Sequence, residues 1–256
     1  MGNDDIERAA GLILVAKYVV GLTGAGISVE SGIRPFRGPG GLWTEYGEPP
    51  MDGYQRFLTD PKVSWEHRVK REGYVRELYE ALSSAEPNPA HYALAELEEL
   101  GILAYLITQN VDNLHRAAGS KNIAEIHGNF SKLRCIQCSS RYEMEEISLE
   151  TLPPHCPCCG GIIKSDTVMF GEPIPDDVLK VCREETNRCD CMLLVGTSAS
   201  VYPAAGFPRQ VREKGGALIE VGPYETEITP FCHVSLRGEA GEVLSQLADC
   251  MKAGLQ

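Results

Sequence analysis

The chain has 256 residues, of which 43% are hydrophobic, and it carries 24 basic against 36 acidic side chains, a formal net charge of −12. This length and composition predict one large folded domain, or a large domain with a smaller insert, and exclude a disordered chain. The acidic balance argues against direct binding of nucleic acid or of an anionic membrane, and favours a basic partner.

The sequence shows no pattern of a membrane span or of a secretory signal. Its longest apolar stretch, residues 11–27, is interrupted by Lys17 and by glycines, whereas a span needs roughly 18 consecutive apolar residues. The first ten residues are acidic where a signal peptide would be basic. Ten cysteines are too few for a disulfide scaffold. Together these features predict a cytoplasmic protein whose cysteines bind metal or pack in the core.

The first predicted strand, residues 18–23 (YVVGLT), leads directly into the glycine loop Gly24-Ala25-Gly26. Residues 38–84 are rich in Gly, Pro, aromatic and charged residues with only patchy helical periodicity, which predicts an inserted module. Over residues 90–100 the apolar residues recur at helical spacing and stop at Gly101, which predicts a helix ended by that glycine. A second buried strand over residues 102–108 and a helix over residues 111–118 follow.

A third strand is predicted over residues 123–127, and it ends at Gly128. A second insert, which carries both C-x-x-C pairs, comes next. Beyond this insert, strands over residues 191–195 and 217–221 alternate with helices over residues 176–185, 203–213 and 239–251. The alternation predicts an α/β fold with a mostly parallel, doubly wound sheet, whose ligand lies at the carboxyl ends of the strands.

The spacing of four cysteines is that of a zinc site. Cys135, Cys138, Cys156 and Cys159 form C-x2-C-x17-C-x2-C, and the central separation lies within the roughly 15–20 residues expected for four thiolates. Four thiolates complete a closed tetrahedron with no room for water, so the predicted site is structural. The sequence leaves open whether Cys158 or His155 replaces a neighbouring ligand. The remaining cysteines are predicted to pack as small apolar residues.

The loop at residues 24–28 (GAGIS) offers free backbone N–H groups and close backbone approach, as a pyrophosphate requires at a strand-to-helix turn. The usual dinucleotide fingerprint has a third glycine at the position of Val29, whereas the next glycine here is Gly32. An ordinary dehydrogenase is therefore disfavoured. A glycine pair that only serves a turn is the alternative.

Six segments, in this order, resemble the sirtuin (Sir2-like) family of NAD-dependent protein deacylases: GAGISVESGIRPFRG, TQNVDNLHRAAG, EIHGN, the C-x-x-C pairs with CPCCGG, DTVMFGE and GTSASVYPAA. The resemblance extends over residues 17–247. It implies a discontinuous Rossmann-type NAD-binding domain of residues 1–40, 86–128 and 166–256. It also implies a small domain made of a helical insert, residues 41–85, and a zinc-ribbon insert, residues 129–165, with one structural Zn²⁺.

The resemblance also implies which residues form the site. NAD is expected to contact residues in five separate segments: Gly24, Ala25, Gly26, Ser28, Ile33, Phe36 and Arg37; Gln109, Asn110, Val111 and Asp112; Gly196, Thr197 and Ser198; Gly222; and Ala240. The acyl-lysine peptide is expected to pair with Val168, Met169, Phe170 and Gly171. His127 is the implied general base, with Asn110 as the second catalytic residue. The pKa of a histidine, near 6.5, suits a base at neutral pH.

In the reaction implied by this family, NAD is consumed. The acyl oxygen of a bound acyl-lysine attacks C1′ of the nicotinamide ribose, nicotinamide leaves, and His127 assists the attack of a ribose hydroxyl on the acyl carbon. The products are free lysine and O-acyl-ADP-ribose. The implied partner is an acyl-lysine-bearing protein or peptide, and the acidic charge is compatible with lysine-rich DNA-packaging proteins.

Several positions depart from the family pattern. Arg34 stands where proline is usual, Lys164-Ser165 replaces an Arg-Pro pair, and Gly222 replaces an asparagine that bonds the adenosine ribose. Members that remove succinyl groups carry Tyr-x-x-Arg in the helical insert, and the nearest match, residues 68–71 (RVKR), lacks the tyrosine. Deacetylation is therefore expected over desuccinylation.

Two other functions remain open at this stage: an NAD-dependent protein ADP-ribosyltransferase on the same scaffold, and a non-enzymatic NAD-sensing zinc module. Intact Asn110, Asp112 and His127 argue against the sensor. The transferase and the deacylase share every one of these residues.

Overall fold

The structure is a computed structural model that describes residues 3–37, 40–71 and 74–254. The helices in this part of the chain are α1 (Asn3–Val15), α2 (Leu42–Tyr46), α3 (Gly53–Thr59), α4 (Pro61–Lys70), α5 (Tyr74–Ser84), α6 (Pro89–Glu99), α7 (Leu114–Ala117), α8 (Asp176–Arg188), α9 (Gly206–Glu213) and α10 (Ala240–Gly254). The strands are β1 (Val19–Thr23), β2 (Leu103–Thr108), β3 (Ile123–Glu125), β4 (Lys132–Cys135), β5 (Arg141–Glu143), β6 (Ile163–Ser165), β7 (Cys191–Val195), β8 (Ala217–Val221) and β9 (Val234–Leu236). A 3₁₀ segment, Ala25–Ser31, follows β1.

The larger sheet has six strands in the order β3-β2-β1-β7-β8-β9, and all neighbouring pairs are parallel. One face packs on α1, α6 and α10, and the other packs on α8 and α9. All five residues of β1 and all five of β7 are buried because both faces are covered. The predicted α/β, doubly wound architecture is confirmed.

The smaller sheet has three antiparallel strands in the order β5-β4-β6. Its apolar face packs against Phe57 of α3 and Trp65 of α4. The indole N–H of Trp65 donates to the carbonyl of Ile163 in β6 at 2.8 Å. Helices α3 and α4 therefore lie directly on the small sheet, and residues of this unit line a cleft that is also lined by the strand ends of the large sheet.

Helix α6 has the ends that its sequence predicts. Asn88 accepts from the N–H of Ala90, and Pro89 occupies the first turn, where its missing N–H is not needed. Gly101 follows the helix with φ +71°, a left-handed conformation that glycine adopts without strain.

The helix predicted over residues 111–118 is shorter in the structure, because α7 covers only Leu114–Ala117. Asn113 has φ +65°, which stops the helix from extending backwards, and the Asp112 carboxylate accepts from the N–H of Leu114 at 3.0 Å. Residues 111–113 consequently form a loop at the end of β2. The strand predicted over residues 123–127 likewise ends at Glu125, so His127 lies beyond it.

In the large sheet and the helices that cover it, α1 and β9 were not predicted from the sequence, and the elements of the two inserts were predicted only as inserts. Helix α1 buries Ile6, Ala9 and Ile13 in the same core cluster as residues of α10. The helix predicted over residues 203–213 begins at Gly206, and those predicted over residues 176–185 and 239–251 extend to Arg188 and Gly254. Among the described helices, none has the length and apolarity needed to cross a membrane.

Candidate active site

A cleft of about 1670 Å³ lies along the carboxyl edge of the large sheet. It opens where the chain after β1 and the chain after β7 diverge, which is the switch point at which doubly wound sheets bind ligands. The predicted cofactor and substrate residues line this cleft, apart from Ser28, Ile33 and Asp112, which lie behind the lining. Arg68, the first of residues 68–71, also lines it, as do Trp43 and Tyr202, to which the sequence analysis gave no role.

The glycines of the two switch-point loops touch each other. The N–H of Gly26 donates to the carbonyl of Gly196 at 2.9 Å. A Cβ on Gly26 would lie 2.7 Å from Cα of Gly196, and a Cβ on Gly196 would lie 2.3 Å from the nitrogen of Ile27. Gly196 also has φ +57°. These positions need glycine because two backbones approach each other at the floor of the cleft.

Behind this floor, Ser28, Asn110 and Asp112 form a hydrogen-bonded group. The Ser28 hydroxyl donates to the Asp112 carboxylate at 2.7 Å, and the Asn110 amide donates to Ser28 Oγ at 3.1 Å. Burial raises the pKa of Asp112, and the hydrogen bond from Ser28 opposes that rise. The group fixes the side chain of Asn110, which is itself 7% exposed, at the edge of the cleft.

A second buried network supports the backbone of Asn110. Its N–H donates to the Thr108 hydroxyl at 3.1 Å, and Thr108 accepts from Thr23 at 2.8 Å. Thr23 in turn lies 2.9 Å from Nε2 of His115, whose ring packs edge-on against His91. Burial lowers the pKa of His91 to about 4 and of His115 to about 3. Both rings are therefore neutral at pH 7, and they brace the end of β2 instead of facing the cleft.

Gln109 connects the end of β2 with the loop after β7. Its side-chain amide donates to Thr197 Oγ1 at 2.8 Å and to the carbonyl of Thr23 at 3.3 Å. The three strand ends at the centre of the sheet are thereby joined by one side chain. This arrangement fixes the spacing of the loops that form the cleft floor.

His127 lies just beyond β3 and lines the cleft. Its Nδ1 is 3.1 Å from the carbonyl oxygen of Gln109. Because a carbonyl only accepts, Nδ1 carries the proton and Nε2 keeps its lone pair when the ring is neutral. Burial lowers the pKa of His127 below 6.5, against the opposing effect of the Gln109 carbonyl. At neutral pH the ring is therefore unprotonated at Nε2, the state that a general base requires.

The segment of residues 167–171 runs beside His127. The N–H of Val168 donates to the carbonyl of His127 at 2.8 Å, and the N–H of Tyr54 in α3 donates to the carbonyl of Phe170 at 3.0 Å. Gly128 makes the close approach possible, since a Cβ there would lie 2.1 Å from the carbonyl oxygen of Asp166. The segment is thus held between the histidine and the helices of the first insert.

Aromatic side chains connect the loop after the glycine-rich segment with this same segment. The ring of Trp43 lies 4.8 Å from Phe36 and 5.3 Å from Phe170, centroid to centroid. The guanidinium of Arg37 lies 4.6 Å from the Trp43 ring centroid. The position of Trp43 in α2 was not predictable from spacing, because it depends on how the insert folds back over the cleft.

Arg34 does not place its charge in the cleft. Its guanidinium pairs with Glu45 at 2.5 Å and with Glu77 at 2.8 Å, and its Nε donates to the carbonyl of Gly40 at 2.9 Å. Two carboxylates therefore neutralise the extra charge that this position adds. Ile33, next to it, is buried with Leu82 and Leu114 in a small apolar cluster under the loop.

Arg68 of α4 lines the cleft, and its guanidinium lies 5.5 Å from the ring centroid of Phe130. Burial lowers its pKa. Arg68 is the first of residues 68–71, and the guanidinium of Arg71, the fourth, lies 3.3 Å from the ring centroid of Tyr79 in α5. Arg71 and Tyr79 also line the cleft, so two guanidinium groups and one tyrosine lie at this point.

Four cysteine sulfurs come together at the end of the small sheet. The Sγ atoms of Cys135, Cys138, Cys156 and Cys159 all lie within 4.8 Å of one another. Cys135 and Cys159 are 3.5 Å apart, and Cys138 and Cys156 are 3.6 Å apart. A tetrahedron with Zn–S bonds of about 2.3 Å has edges of about 3.8 Å, so this donor set fits one Zn²⁺.

The alternative ligands turn elsewhere. Cys158 is exposed, and its Sγ lies 3.4 Å from the Tyr142 hydroxyl. His155 has its Nδ1 2.9 Å from the carbonyl of Gly160. The choice between neighbours that the sequence left open is therefore resolved by the geometry in favour of Cys156 and Cys159.

Comparison with known proteins gives consistent matches. The Sir2 family model matches residues 24–203. NAD-dependent protein deacylase 1 of Archaeoglobus fulgidus is 43% identical, over 97% of this chain and 99% of the relative. An NAD-dependent protein deacylase of Thermococcus kodakarensis is 44% identical, over 94% of each chain. Among solved structures, a Sir2 homologue in complex with NAD aligns with a TM-score of 0.81 at 43% identity, covering 98% of this chain and 95% of the other. A complex of Sir2 with a p53 peptide and NAD⁺ aligns with a TM-score of 0.79 at 32% identity, covering 98% and 99%.

Proposed function

The chain belongs to the Sir2 family, and we propose that it is an NAD-dependent protein lysine deacylase. The reaction transfers the acyl group of acyl-lysine to ADP-ribose and releases nicotinamide and O-acyl-ADP-ribose. One observation carries the proposal: His127, Asn110 and the Val168 segment meet in a single cleft at the switch point of the sheet. NAD supplies the ADP-ribose that accepts the acyl group, and the chain supplies the positions and the base.

The glycine loops are proposed to receive the NAD pyrophosphate. Gly24, Ala25 and Gly26 line the cleft where the 3₁₀ segment begins, and the start of a helical segment after a strand is where a phosphate group is favoured. Phe36 and Arg37 cover the nicotinamide ribose from the far side, with Ile33 and Val111 shaping the apolar wall. Asn110 and Asp112 orient the ribose and the nicotinamide amide, and Ser28 holds these two side chains in place.

The adenosine half of NAD is proposed to lie along Gly196, Thr197, Ser198, Gly222 and Ala240, which all line the same cleft. The loop after β7 is fixed by Gln109 through Thr197. Near Gly222 the chain offers backbone groups where the family pattern has an asparagine side chain.

His127 is proposed to act as the general base on a ribose hydroxyl. Its Nε2 lone pair faces the cleft side of a ring whose Nδ1 is fixed by the backbone. The 2′-hydroxyl, directly or through the 3′-hydroxyl, is the proton donor in this assignment. Burial keeps the ring neutral at pH 7, so the base is ready before substrate binds.

The segment of residues 167–171 is proposed to bind the acyl-lysine peptide as an added strand. Its backbone lies along the cleft between His127 and α3, and pairing with an extended peptide gives affinity through main-chain hydrogen bonds. Val168, Met169, Phe170 and Gly171 are the contact residues in this assignment. The relative with a bound p53 peptide supports peptide binding by this scaffold.

Two experiments on the purified protein test this assignment of substrate and product. Acetyl-lysine and succinyl-lysine peptides of one sequence are compared, and a larger kcat/KM is expected for the acetyl peptide because Arg68 stands at the tyrosine position of the Tyr-x-x-Arg pattern. Labelled NAD is then used to follow any ADP-ribose attached to protein. A preference for succinyl would overturn the acyl assignment, and protein-bound label without peptide deacylation would favour the ADP-ribosyltransferase.

Replacing Gly222 by asparagine is expected to lower the KM for NAD. No atom lies within 4 Å of a Cβ added there, so the larger side chain fits at the cleft edge. One new hydrogen bond to the ribose would lower KM by roughly three- to tenfold. The measurement is an NAD titration at saturating peptide, with Gly11→Asn in α1 as the control at an exposed position that is also free of nearby atoms. An unchanged or higher KM for NAD in Gly222→Asn would contradict the adenosine assignment.

The domain division and the cellular context are further proposals. Residues 1–40, 86–128 and 166–256 are assigned to the NAD-binding domain, and residues 41–85 and 129–165 to the small domain. The contact of Trp65 with Ile163 supports grouping the two inserts. A reduced, cytoplasmic location agrees with cysteines that are free and partly grouped for metal. An acidic protein with this activity suits lysine-rich targets, including DNA-packaging proteins.

A further inference from the structure

Lys164 of β6 has a wholly buried side chain, one of the largest in the core, and the proposed reaction does not use it. Its Nζ donates to the carbonyls of Ser165 at 2.6 Å and Thr167 at 2.9 Å, and it pairs with the Glu172 carboxylate at 3.0 Å. An ammonium group has three protons. All three protons are therefore taken by acceptors, and these acceptors lie just before, at the start of and just after the segment of residues 167–171.

Glu172 holds the same segment from its other end. Its side chain is 2% exposed, and it accepts from the N–H of Met169 at 2.9 Å. Its second oxygen accepts from Arg134 of β4 at 2.6 Å. Because Met169 lies within the segment, the carboxylate fixes the turn while the ammonium fixes the carboxylate. The backbone between them is the one that bonds to His127 through Val168.

We propose that Lys164 is a positioning residue for substrate binding, which with Glu172 holds the segment of residues 167–171 in the shape that receives the acyl-lysine peptide. The inference rests on the proposed deacylase function. It adds to that function a residue that touches neither substrate nor NAD. Lys164 is also one of the positions where this chain departs from the family pattern, which has arginine there.

A buried lysine can lose its proton in the alkaline range, whereas an arginine at the same position would stay charged. Burial lowers the pKa of Lys164 to about 8, against the opposing effect of Glu172. The charged and titratable groups around it are Glu172, Asp166, Arg134 of β4, and Tyr54 of α3, whose own pKa is raised by burial and by Glu172. A lysine is charged below its pKa, so at neutral pH Lys164 makes all three contacts, to Ser165, Thr167 and Glu172. Above about pH 8 the neutral amine has one proton too few for its three acceptors, and Glu172 keeps only Arg134 as a charged partner.

The test compares Lys164→Met and Lys164→Arg with the wild type, with exposed Lys180→Met in α8 as the matched control. At pH 7 the methionine variant is expected to raise the KM for acetyl-lysine peptide roughly tenfold, the scale of one lost charged hydrogen-bond partner. Its KM for NAD and its kcat should change much less. The arginine variant should restore the peptide KM, and Lys180→Met should match the wild type.

The pH profile separates positioning from a purely structural role. The wild-type peptide KM is expected to rise as the pH passes about 8, whereas Lys164→Arg should show no such rise because arginine stays charged. If Lys164→Met fails to fold or loses its zinc, the comparison of wild type with Lys164→Arg decides the matter alone. The same alkaline rise in both proteins, or a wild-type peptide KM in a folded Lys164→Met, would overturn the proposal. Absence of peptide-dependent nicotinamide release in the wild type would instead refute the deacylase function itself.

Discussion

His127→Ala is expected to lower kcat by roughly 10³-fold, within the range that a positioned general base contributes. The variant should still bind NAD, because the glycine loops, Asn110 and Asp112 are held by contacts that do not involve the imidazole. The exposed His67→Ala on α4 is the matched control and should retain wild-type kcat. NAD binding is measured by calorimetry and turnover by nicotinamide release.

The pH profile of the wild type gives a second measure of the same group. Because burial lowers the pKa of His127 below 6.5, the base stays unprotonated at neutral pH, and kcat/KM should fall only as the pH drops below 6.5. An acidic limb centred above 6.5, or substantial turnover by His127→Ala, would contradict the assignment of His127 as the base.

Cys135→Ala is expected to abolish zinc binding and, with it, activity. The Cys135 side chain is buried, and its Sγ belongs to the group of four that brings the two C-x-x-C turns together. A structural zinc site supplies folding energy to the domain around it. Strand β6 continues directly into the segment of residues 167–171, so losing the small sheet also displaces the proposed peptide-binding backbone.

The measurement for this variant is metal content per chain together with thermal melting and turnover. Cys158→Ala is the matched control, since its exposed sulfur lies outside the group of four, and about one zinc per chain should remain. Equal zinc loss in both variants would mean that Cys158 is a ligand, and full zinc content in Cys135→Ala would mean that the four-thiolate assignment is wrong.

Local features of the fold were predictable because each depends on a few neighbouring residues. Gly101 ends α6 as expected, since the left-handed conformation there favours glycine. The spacing predicted a four-thiolate site, but the choice of Cys156 and Cys159 over Cys158 and His155 needed the geometry. The length of helix α7 was overestimated, because the apolar pattern does not show that Asn113 takes a positive φ or that the Asp112 carboxylate accepts from the N–H of Leu114.

The parts that were missed depend on contacts between distant segments. Helix α1 is stabilised by packing on α10, more than two hundred residues away in sequence. Trp43 reaches Phe36 and Phe170 only after the first insert has folded over the cleft. Lys164 was recognised as a departure from the family pattern, but its pairing with Glu172 required the turn between them to be seen.

The central claim is that one nicotinamide is released for each acyl group transferred. The most direct test incubates the protein with NAD and an acetyl-lysine peptide and quantifies nicotinamide, O-acetyl-ADP-ribose and deacetylated peptide by mass spectrometry. Equal amounts of the three products, with nicotinamide release that depends on the acetylated peptide, are expected. Nicotinamide release that ignores the peptide, or ADP-ribose attached to protein in place of O-acetyl-ADP-ribose, would contradict the account.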